Sequence, residues 1–561
     1  MITSDIKRIE ALTNAGAWGE DTLHQLLARH ARERGESLAV ADQPNRSELC
    51  GGECARLNFR ELDQASDAMA ATFLDAGLNA GDCLIVQLPN IVELVVCYYA
   101  ASKLGLIISP VPVQYGSHEL RHIATTIRAS AFISCDRFKS TPLARNACDA
   151  LPDLKVLSCD QDIPALEELA RASAEQRSRV QQYQEANPAS ANHIVTICWT
   201  SGTTGTPKGV PRSHNMWFAT AKGTATAGDY RQGDHLLAPF PMVNMAALGG
   251  FLFSSALRGC AIILHHPFDA AVYLRQLEDE SVNFSVAPPA ILNQLARSPE
   301  LWSQYDFSSL RAIGSGAAPL APWMVEKFER DYHLQIINFY GSNEGVSLHS
   351  TPDTAPSAEA RATMFPRLGV KGMPWEGMRP GVVTRVANPD TGEPITEPGT
   401  PGELLIAGPT VFDGYYDHDN EGVFTDDNFF RSGDLVEICG EPPSYPYYRI
   451  VGRCKDIINR GGMKISPTSI DLVIEDYPGV REAAVCAYPD ERMGEKICAC
   501  LVLSEDEQSP DLAGLQEWLL ARGLAKFKLP ERIEVLDALP RNALDKVQRF
   551  ALTELISAAS S

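Results

Sequence analysis

Two spacings of apolar residues alternate along the chain. Segments such as "DTLHQLLARHARERG" from Asp21 and "FRELDQASDAMAATFLDAGL" from Phe59 repeat apolar positions three and four apart, which predicts amphipathic helices. Between them lie short β-branched runs, "DCLIVQLPN" from Asp82, "SAFISC" from Ser130 and "DLKVLSC" from Asp153, which predict strands. Helix and strand keep alternating to about residue 380, the pattern of a layered α/β domain. The most apolar stretch, "IVELVVCYYAASKLGLIISPVPV" from Ile91, is broken by Glu93, Lys103 and two prolines before it reaches the roughly 20 residues a bilayer requires. It predicts a buried helix followed by a strand, and no membrane span.

Between about 380 and 450 the texture changes to strands separated by turn dipeptides, as in "PDTGEPITEPGTPGELLIAG", which predicts a small β-rich subdomain. After "VGRCKD" a compact tail alternates helix and strand again ("SIDLVIEDYPGV", "KICACLVLSE", "DLAGLQEWLLARGL") and is long enough to fold by itself. The expected layout is a large α/β domain over 1–453, a small α+β domain over 456–561 and a junction near Lys455. The polar stretch "ALEELARASAEQRSRVQQYQEANPASANH" reads as an exposed helix and linker.

Composition narrows the partners. The 561 residues carry a formal net charge of −22, which disfavours nucleic acid or an anionic membrane surface as the main partner. Fourteen scattered cysteines and no charged-then-apolar opening segment lead us to expect reduced thiols in a cytoplasmic protein. Cys50 and Cys54 lack the second ligand pair that a zinc site needs.

One stretch fits neither period. "WTSGTTGTPKGVPRSHN", from Trp199 to Asn215, follows the apolar strand "HIVTICWT" and packs glycines, hydroxyls and Lys208 into a loop. Such a loop can aim successive amides and hydroxyls at one anion, and glycine lets the backbone approach closely, so phosphate is the expected guest. The spacing is not G-x-x-x-x-G-K-[ST], because Pro207 precedes the lysine and no Ser or Thr follows it.

The run "TSGTTGTPKGV" resembles the phosphate loop of the adenylate-forming superfamily, which comprises acyl-CoA synthetases, adenylation domains and luciferases. Six further segments match in the same order: "GSGAAPL" from Gly314, "YGSNEG" from Tyr340, "GELLIAGPTVFDGYY" from Gly402, "RSGDL" from Arg431, "GRCKDIINRGGMKISP" from Gly452 and "LPRNALDK" ending at Lys546. The resemblance covers nearly the whole chain. It implies an enzyme that uses ATP and Mg²⁺ to join a carboxylic acid to AMP, with a mobile C-terminal domain hinged at Lys455.

Residue by residue, the resemblance implies that Thr200, Ser201, Gly202, Thr203, Thr204, Gly205 and Lys208 cradle phosphates. It implies Glu344 as the Mg²⁺ ligand, and Gly316, Ala317, Ala318, Tyr340, Gly341 and Asn343 around the nucleotide. Asp434 is implied for the ribose, with Arg453 near ribose and phosphates. Lys546, with Glu344 and Thr203, is implied in catalysis. Three positions depart from the family pattern: Asn343 stands where a threonine is usual, Asp545 where a glycine is, and Ser469 where a glutamate is.

For the acid, the implied pocket residues are Asn244, Met245, Gly249, Ser315, Gly316 and Gly341. The segment "APFPMVNMAALGGFLFSSAL" holds no carboxylate to pair with an ammonium, and its apolar wall with Asn244 fits a hydrophobic aliphatic, alicyclic or aryl acid. Asn244 can bond a substrate oxygen or cap local backbone. "YYRIVGRCKDIINRGG" is similar to CoA ligases for alicyclic and medium-chain acids, and "GVPRSHN" to aryl-acid enzymes that load a carrier protein. We expect CoA as acceptor, a separate acyl carrier protein as the alternative, and a non-catalytic adenylate-binding relative as a third reading.

Overall fold

The computed structural model describes residues 1–159, 161–200, 207–316, 318–461, 463–490, 492–504, 507–542 and 546–558. Contacts divide the chain into two compact units. The first comprises Met1–Val383 and Ile406–Phe430, the second Thr384–Leu405 and Arg431–Ser561. The mixed α/β class expected above is found in both.

Unit 1 is built on two mainly parallel sheets. One, of six strands, runs in the order Val156–Ser158, Ala131–Ser134, Cys83–Gln87, Ile107–Pro110, Ile194–Thr200, Lys208–Ser213. The other has eight strands, with Ala312–Gly316, Gln335–Gly341 and Ser347–Ser350 at one edge. Side chains alternate across each strand, and the core divides accordingly. Leu84, Val86, Ile133, Leu236 and Ile262 face a central layer of helices that includes Phe59–Asp75, Val92–Leu104 and His214–Ala227. Ile85, Ile107 and Phe132 face one outer helical layer, and Leu237, Ile263, Ile313 and Ile336 face another.

Helix Val92–Leu104 is buried along its whole length, so the two charges that interrupt its sequence must be paired. Lys103 bonds Asp63 at 2.8 Å and Asp67 at 2.5 Å. Glu93 takes Arg46 Nη2 at 2.5 Å, while Arg46 Nη1 reaches Asp42 at 2.5 Å. Burial pushes both carboxylates above their ordinary range, and the guanidinium pulls against that shift.

In unit 2, residues 434–439 of strand Phe430–Cys439 pair with Tyr447–Arg453 in an antiparallel ladder that sets Asp434 opposite Arg453. Its C-terminal part pairs Val480–Asp490 with Gly494–Leu503. One face of that hairpin, with Val485, Ile497 and Leu501, packs on Ile470, Ile474, Leu515 and Leu519. The other face, with Cys486, Cys498 and Cys500, packs on Leu539, Leu552 and Ile556.

Arg46→Met leaves two buried carboxylates without a cation, so unfolding should become easier by about 3–5 kcal/mol. Calorimetry should show the lower melting temperature, and Glu93→Met in the same chain should restore part of it. An unchanged melting temperature would show that the pair is not carrying the buried helix.

Candidate active site

Strands Ile194–Thr200 and Lys208–Ser213 pair antiparallel, with Thr200 opposite Lys208, so both ends of the phosphate-loop candidate are fixed by one ladder. Trp199 secures the first strand by an indole bond to Ser109 at 2.7 Å. Ser201, Gly202, Thr203, Thr204 and Gly205 lie outside the described residues, as do Ala317 and Asp545.

Lys208 holds its ammonium 4.9 Å from the centre of the Tyr415 ring. The hydroxyl of that tyrosine donates to Glu344 Oε1 at 3.0 Å. Lys208, Tyr415 and Glu344 thus form a line of cation, ring and carboxylate, with Glu344 itself buried. The Glu344 carbonyl accepts from the Phe412 amide at 2.9 Å, and the Tyr416 amide donates to Gly209 at 2.9 Å. Segment 408–416 therefore ties the "YGSNEG" turn to the strand that starts at Lys208. The turn approaches this segment so closely that a Cβ at Gly345, where φ is +116°, would sit 2.0 Å from the Thr410 carbonyl. Only glycine fits there.

Asn343 is pinned from three sides. Its Oδ1 accepts from the Met245 amide at 2.8 Å, its Nδ2 donates to the Trp199 carbonyl at 3.2 Å, and its own carbonyl accepts from Arg212 at 2.7 Å. The guanidinium of Arg212 is wholly buried, also bonds the Met216 carbonyl and the Thr220 hydroxyl, and lies 4.4 Å from the Trp217 ring centre. Burial pulls its pKa down to about 10.

Strand Ala312–Gly316 lies parallel to Gln335–Gly341, with Gly316 opposite Phe339. A Cβ at Gly316 would come within 2.1 Å of the Phe339 carbonyl, so this glycine is required by the strand packing. Next to it the Tyr340 ring is half-buried against Phe365, 5.6 Å between centres. Ala318 is exposed. Ser315 is buried and donates to the Ala287 carbonyl at 2.8 Å. Gly341 faces Met245, whose sulfur would lie 3.1 Å from a Cβ there. Asn244 caps the following helical turn by accepting from the Ala247 amide at 3.3 Å. Gly249 packs on Thr220 and Trp217, leaving no room for a side chain.

In unit 2, Gly433 adopts φ +71° with its amide held by Glu403 at 3.0 Å, a bend that sets up Asp434. The Asp434 carboxylate pairs with Arg453 Nε at 2.7 Å. Lys455 is exposed in a short 3₁₀ turn, Cys454–Asp456, yet its ammonium pKa is lowered. Partial desolvation is the first cause and the Arg453 charge the second; Lys546 adds to the effect, while Asp456 and Asp434 oppose it. Lys546 is exposed, its amide donating to Asn542 Oδ1 at 3.0 Å.

Two participants, Tyr415 and Arg212, were not singled out from sequence, although both stand inside quoted segments. A tyrosine in "FDGYY" and an arginine in "GVPRSHN" carry no mark of their partners, which are supplied by distant parts of the chain.

The model of the AMP-binding enzyme family matches residues 28–416, and that of the AMP-binding enzyme C-terminal domain matches 469–546. The chain is 29% identical over 557 residues to the salicyl-AMP ligase / salicyl-S-ArCP synthetase of Mycobacterium tuberculosis, covering 97% of this chain and 93% of that protein. It is 30% identical over 512 residues to a long-chain-fatty-acid–CoA ligase of the same organism, covering 90% and 94%. Among solved structures, ATP-bound MatB from Rhodopseudomonas palustris superposes with a TM-score of 0.78 at 25% identity, covering 96% of this chain and all of that one (100%). The chain belongs to the AMP-binding enzyme family and is an adenylate-forming enzyme, as the order of its seven segments implied.

Proposed function

We propose that the protein is an AMP-forming acid–thiol ligase that activates an acid with a hydrophobic aliphatic, alicyclic or aryl body and passes the acyl group to CoA. The observation that supports this most directly is the line of Lys208, Tyr415 and Glu344 beside the strand end that opens the phosphate loop. In the first half-reaction a carboxylate oxygen attacks the α-phosphorus of ATP, the bond to the bridging oxygen breaks, and pyrophosphate leaves. In the second, the thiol sulfur attacks the acyl carbon and loses its proton to solvent, and AMP departs with the electron pair of the broken bond.

Lys208 and the loop from Thr200 would hold the β- and γ-phosphates. Glu344 would give one carboxylate oxygen to Mg²⁺, which neutralises phosphate charge when bound. Tyr340 would cover one face of the adenine, and Asp434 would accept from the ribose hydroxyls, with Arg453 keeping its carboxylate in place. Asn343 spends one amide hydrogen on Trp199 and keeps the other for an α-phosphate oxygen. Met245, Gly341 and Gly249 would bound the acid pocket. Lys546 would reach the oxygens where charge builds during adenylation, on a C-terminal domain that pivots at Lys455 between the two half-reactions.

The second acceptor reading, a carrier-protein thiol, is supported by "GVPRSHN" and by the relative named as a salicyl-S-ArCP synthetase. The long-chain-fatty-acid–CoA ligase supports CoA. Acid-dependent exchange of labelled pyrophosphate into ATP, run over a panel of acids, tests the ligase reading. Alkyl, alicyclic or aryl acids should give exchange and α-amino acids should not, and CoA should then yield a thioester. Exchange with amino acids alone would overturn the substrate class; adenylate that resists CoA but loads a phosphopantetheine carrier would overturn the acceptor.

Asp434→Ala should raise the Michaelis constant for ATP roughly 10- to 100-fold, the worth of one or two charge-assisted bonds. A normal constant with normal turnover would take Asp434 off the ribose.

Lys546→Ala should slow exchange by about 10² to 10³, the usual cost of removing one donor aimed at developing charge. Thioester formation from supplied acyl-adenylate should stay near normal if the lysine swings away at Lys455. A parallel fall in both half-reactions would refute the swing, and no fall in either would refute the role.

A further inference from the structure

The acid-pocket candidates Gly341 and Met245 adjoin a charged group that their own segment did not reveal. Strand Ser347–Ser350 runs antiparallel to Gln335–Gly341, with Ser347 opposite Gly341 and His349 opposite Phe339. Ser347 and His349 are two apart and therefore share one face of the strand. Helix His214–Ala227 packs against this strand, and Arg379 reaches in between them.

Arg379 Nη1 donates to the Ser347 carbonyl. The guanidinium lies so close to the helix that a Cβ at Gly223 would meet its central carbon and Nη2 at 2.7 Å. A glycine inside a helix weakens it, and here its missing side chain makes the space that the guanidinium fills. Burial pulls the Arg379 pKa down to about 10, so the cation is held where charge is poorly solvated.

The surroundings do not neutralise it. Its Nη2 is buried and meets no acceptor, and no carboxylate pairs with it, among the described residues. His349 adds no charge of either sign, because burial and then the Arg379 charge hold its pKa well below the ordinary range, leaving a neutral ring. That ring is committed to Ser347 Oγ at 3.1 Å and to the Gly223 backbone, and packs edge-on against Phe339 at 4.9 Å between centres. Arg212, on the neighbouring strand end, is a second cation with its own carbonyl partners. Arg379 is half-buried as a residue, but the shielded Nη2 without an acceptor and the guanidinium without a counter-charge are costly, and an anionic ligand would offset that cost.

We propose that Arg379 receives a second carboxylate at the far end of the acid substrate, so that the favoured substrates are dicarboxylic acids with an apolar body. The proposal rests on the reading that this chain adenylates an acid in the pocket bounded by Met245 and Gly341. The carboxylate that reacts and the one that is recognised are then different groups, and Arg379 acts in specificity without touching the reacting atoms.

The test compares matched acids of equal chain length, butyrate with succinate, hexanoate with adipate and octanoate with suberate, in acid-dependent pyrophosphate exchange. In the native enzyme the diacid should exceed its partner in kcat/KM by roughly tenfold or more at the fitting length, as expected for a charge-assisted contact. Arg379→Met should collapse that ratio by roughly 10- to 100-fold, and Arg379→Lys should recover part of it. The ratio is unaffected by a general loss of folded enzyme, and the native comparison needs no variant. Monoacids that match or exceed diacids throughout, or a ratio unmoved by Arg379→Met, would overturn the proposal while leaving the ligase reading intact. No exchange with any acid of either kind would overturn the proposal, and the ligase reading falls with it only if alicyclic and aryl acids also give none.

Discussion

A single buried guanidinium organises the candidate active-site face of unit 1. Arg212 stands at the end of one strand and bonds the first turn of the helix that follows, the Thr220 hydroxyl one turn on, and the carbonyl of Asn343 in the "YGSNEG" turn. None of these partners is charged, so the cation is held by dipoles and by the face of Trp217. Its charge also acts on Glu344, the next residue of the turn. Because the acceptors belong to two separate elements, the helix His214–Ala227 and the "YGSNEG" turn, the guanidinium fixes one against the other. Asn343 extends the same constraint to Trp199 and Met245, so that the phosphate-loop strand, the metal-ligand candidate and the acid wall share one hydrogen-bonded junction.

Much of this was legible in the sequence. The β-branched runs at Cys83–Gln87, Ala131–Ser134 and Val156–Ser158 became strands, and "IVELVVCYYAASKLGLIISPVPV" became a buried helix followed by a strand, because these segments are apolar enough to fix their own burial. The loop motifs were legible for a different reason: glycines at Gly316 and Gly345 are required by approaches of about 2 Å to neighbouring carbonyls, and such requirements leave a mark in the chain. Pairings between distant segments left none. Glu93 and Lys103 read as interruptions, and only the fold supplies Arg46, Asp63 and Asp67 to neutralise them. Arg379 likewise lies far in sequence from Gly223 and Ser347, so the segment read as the acid wall, apolar with Asn244, carried no sign of it.

Charge in unit 2 follows a similar logic with the sign exposed. A chain of net charge −22 nevertheless gathers Arg453, Lys455 and Lys546 together: partial desolvation lowers the Lys455 pKa first, and the Arg453 and Lys546 charges lower it further. Asp434 is already paired with Arg453 and offsets the crowding only in part. A lowered lysine pKa means that the charged form pays for its surroundings, and the penalty is removed by any anion that settles among the three cations. A nucleotide phosphate is such an anion: its arrival would raise the Lys455 pKa back toward the ordinary range, and proton uptake would accompany binding wherever the solution pH lies near the lowered value. The acidic surface repels polyanions at large, while this cluster favours a small one. A repelling exterior with a local concentration of positive charge has a counterpart at Arg379 in unit 1, where the anion expected is a carboxylate.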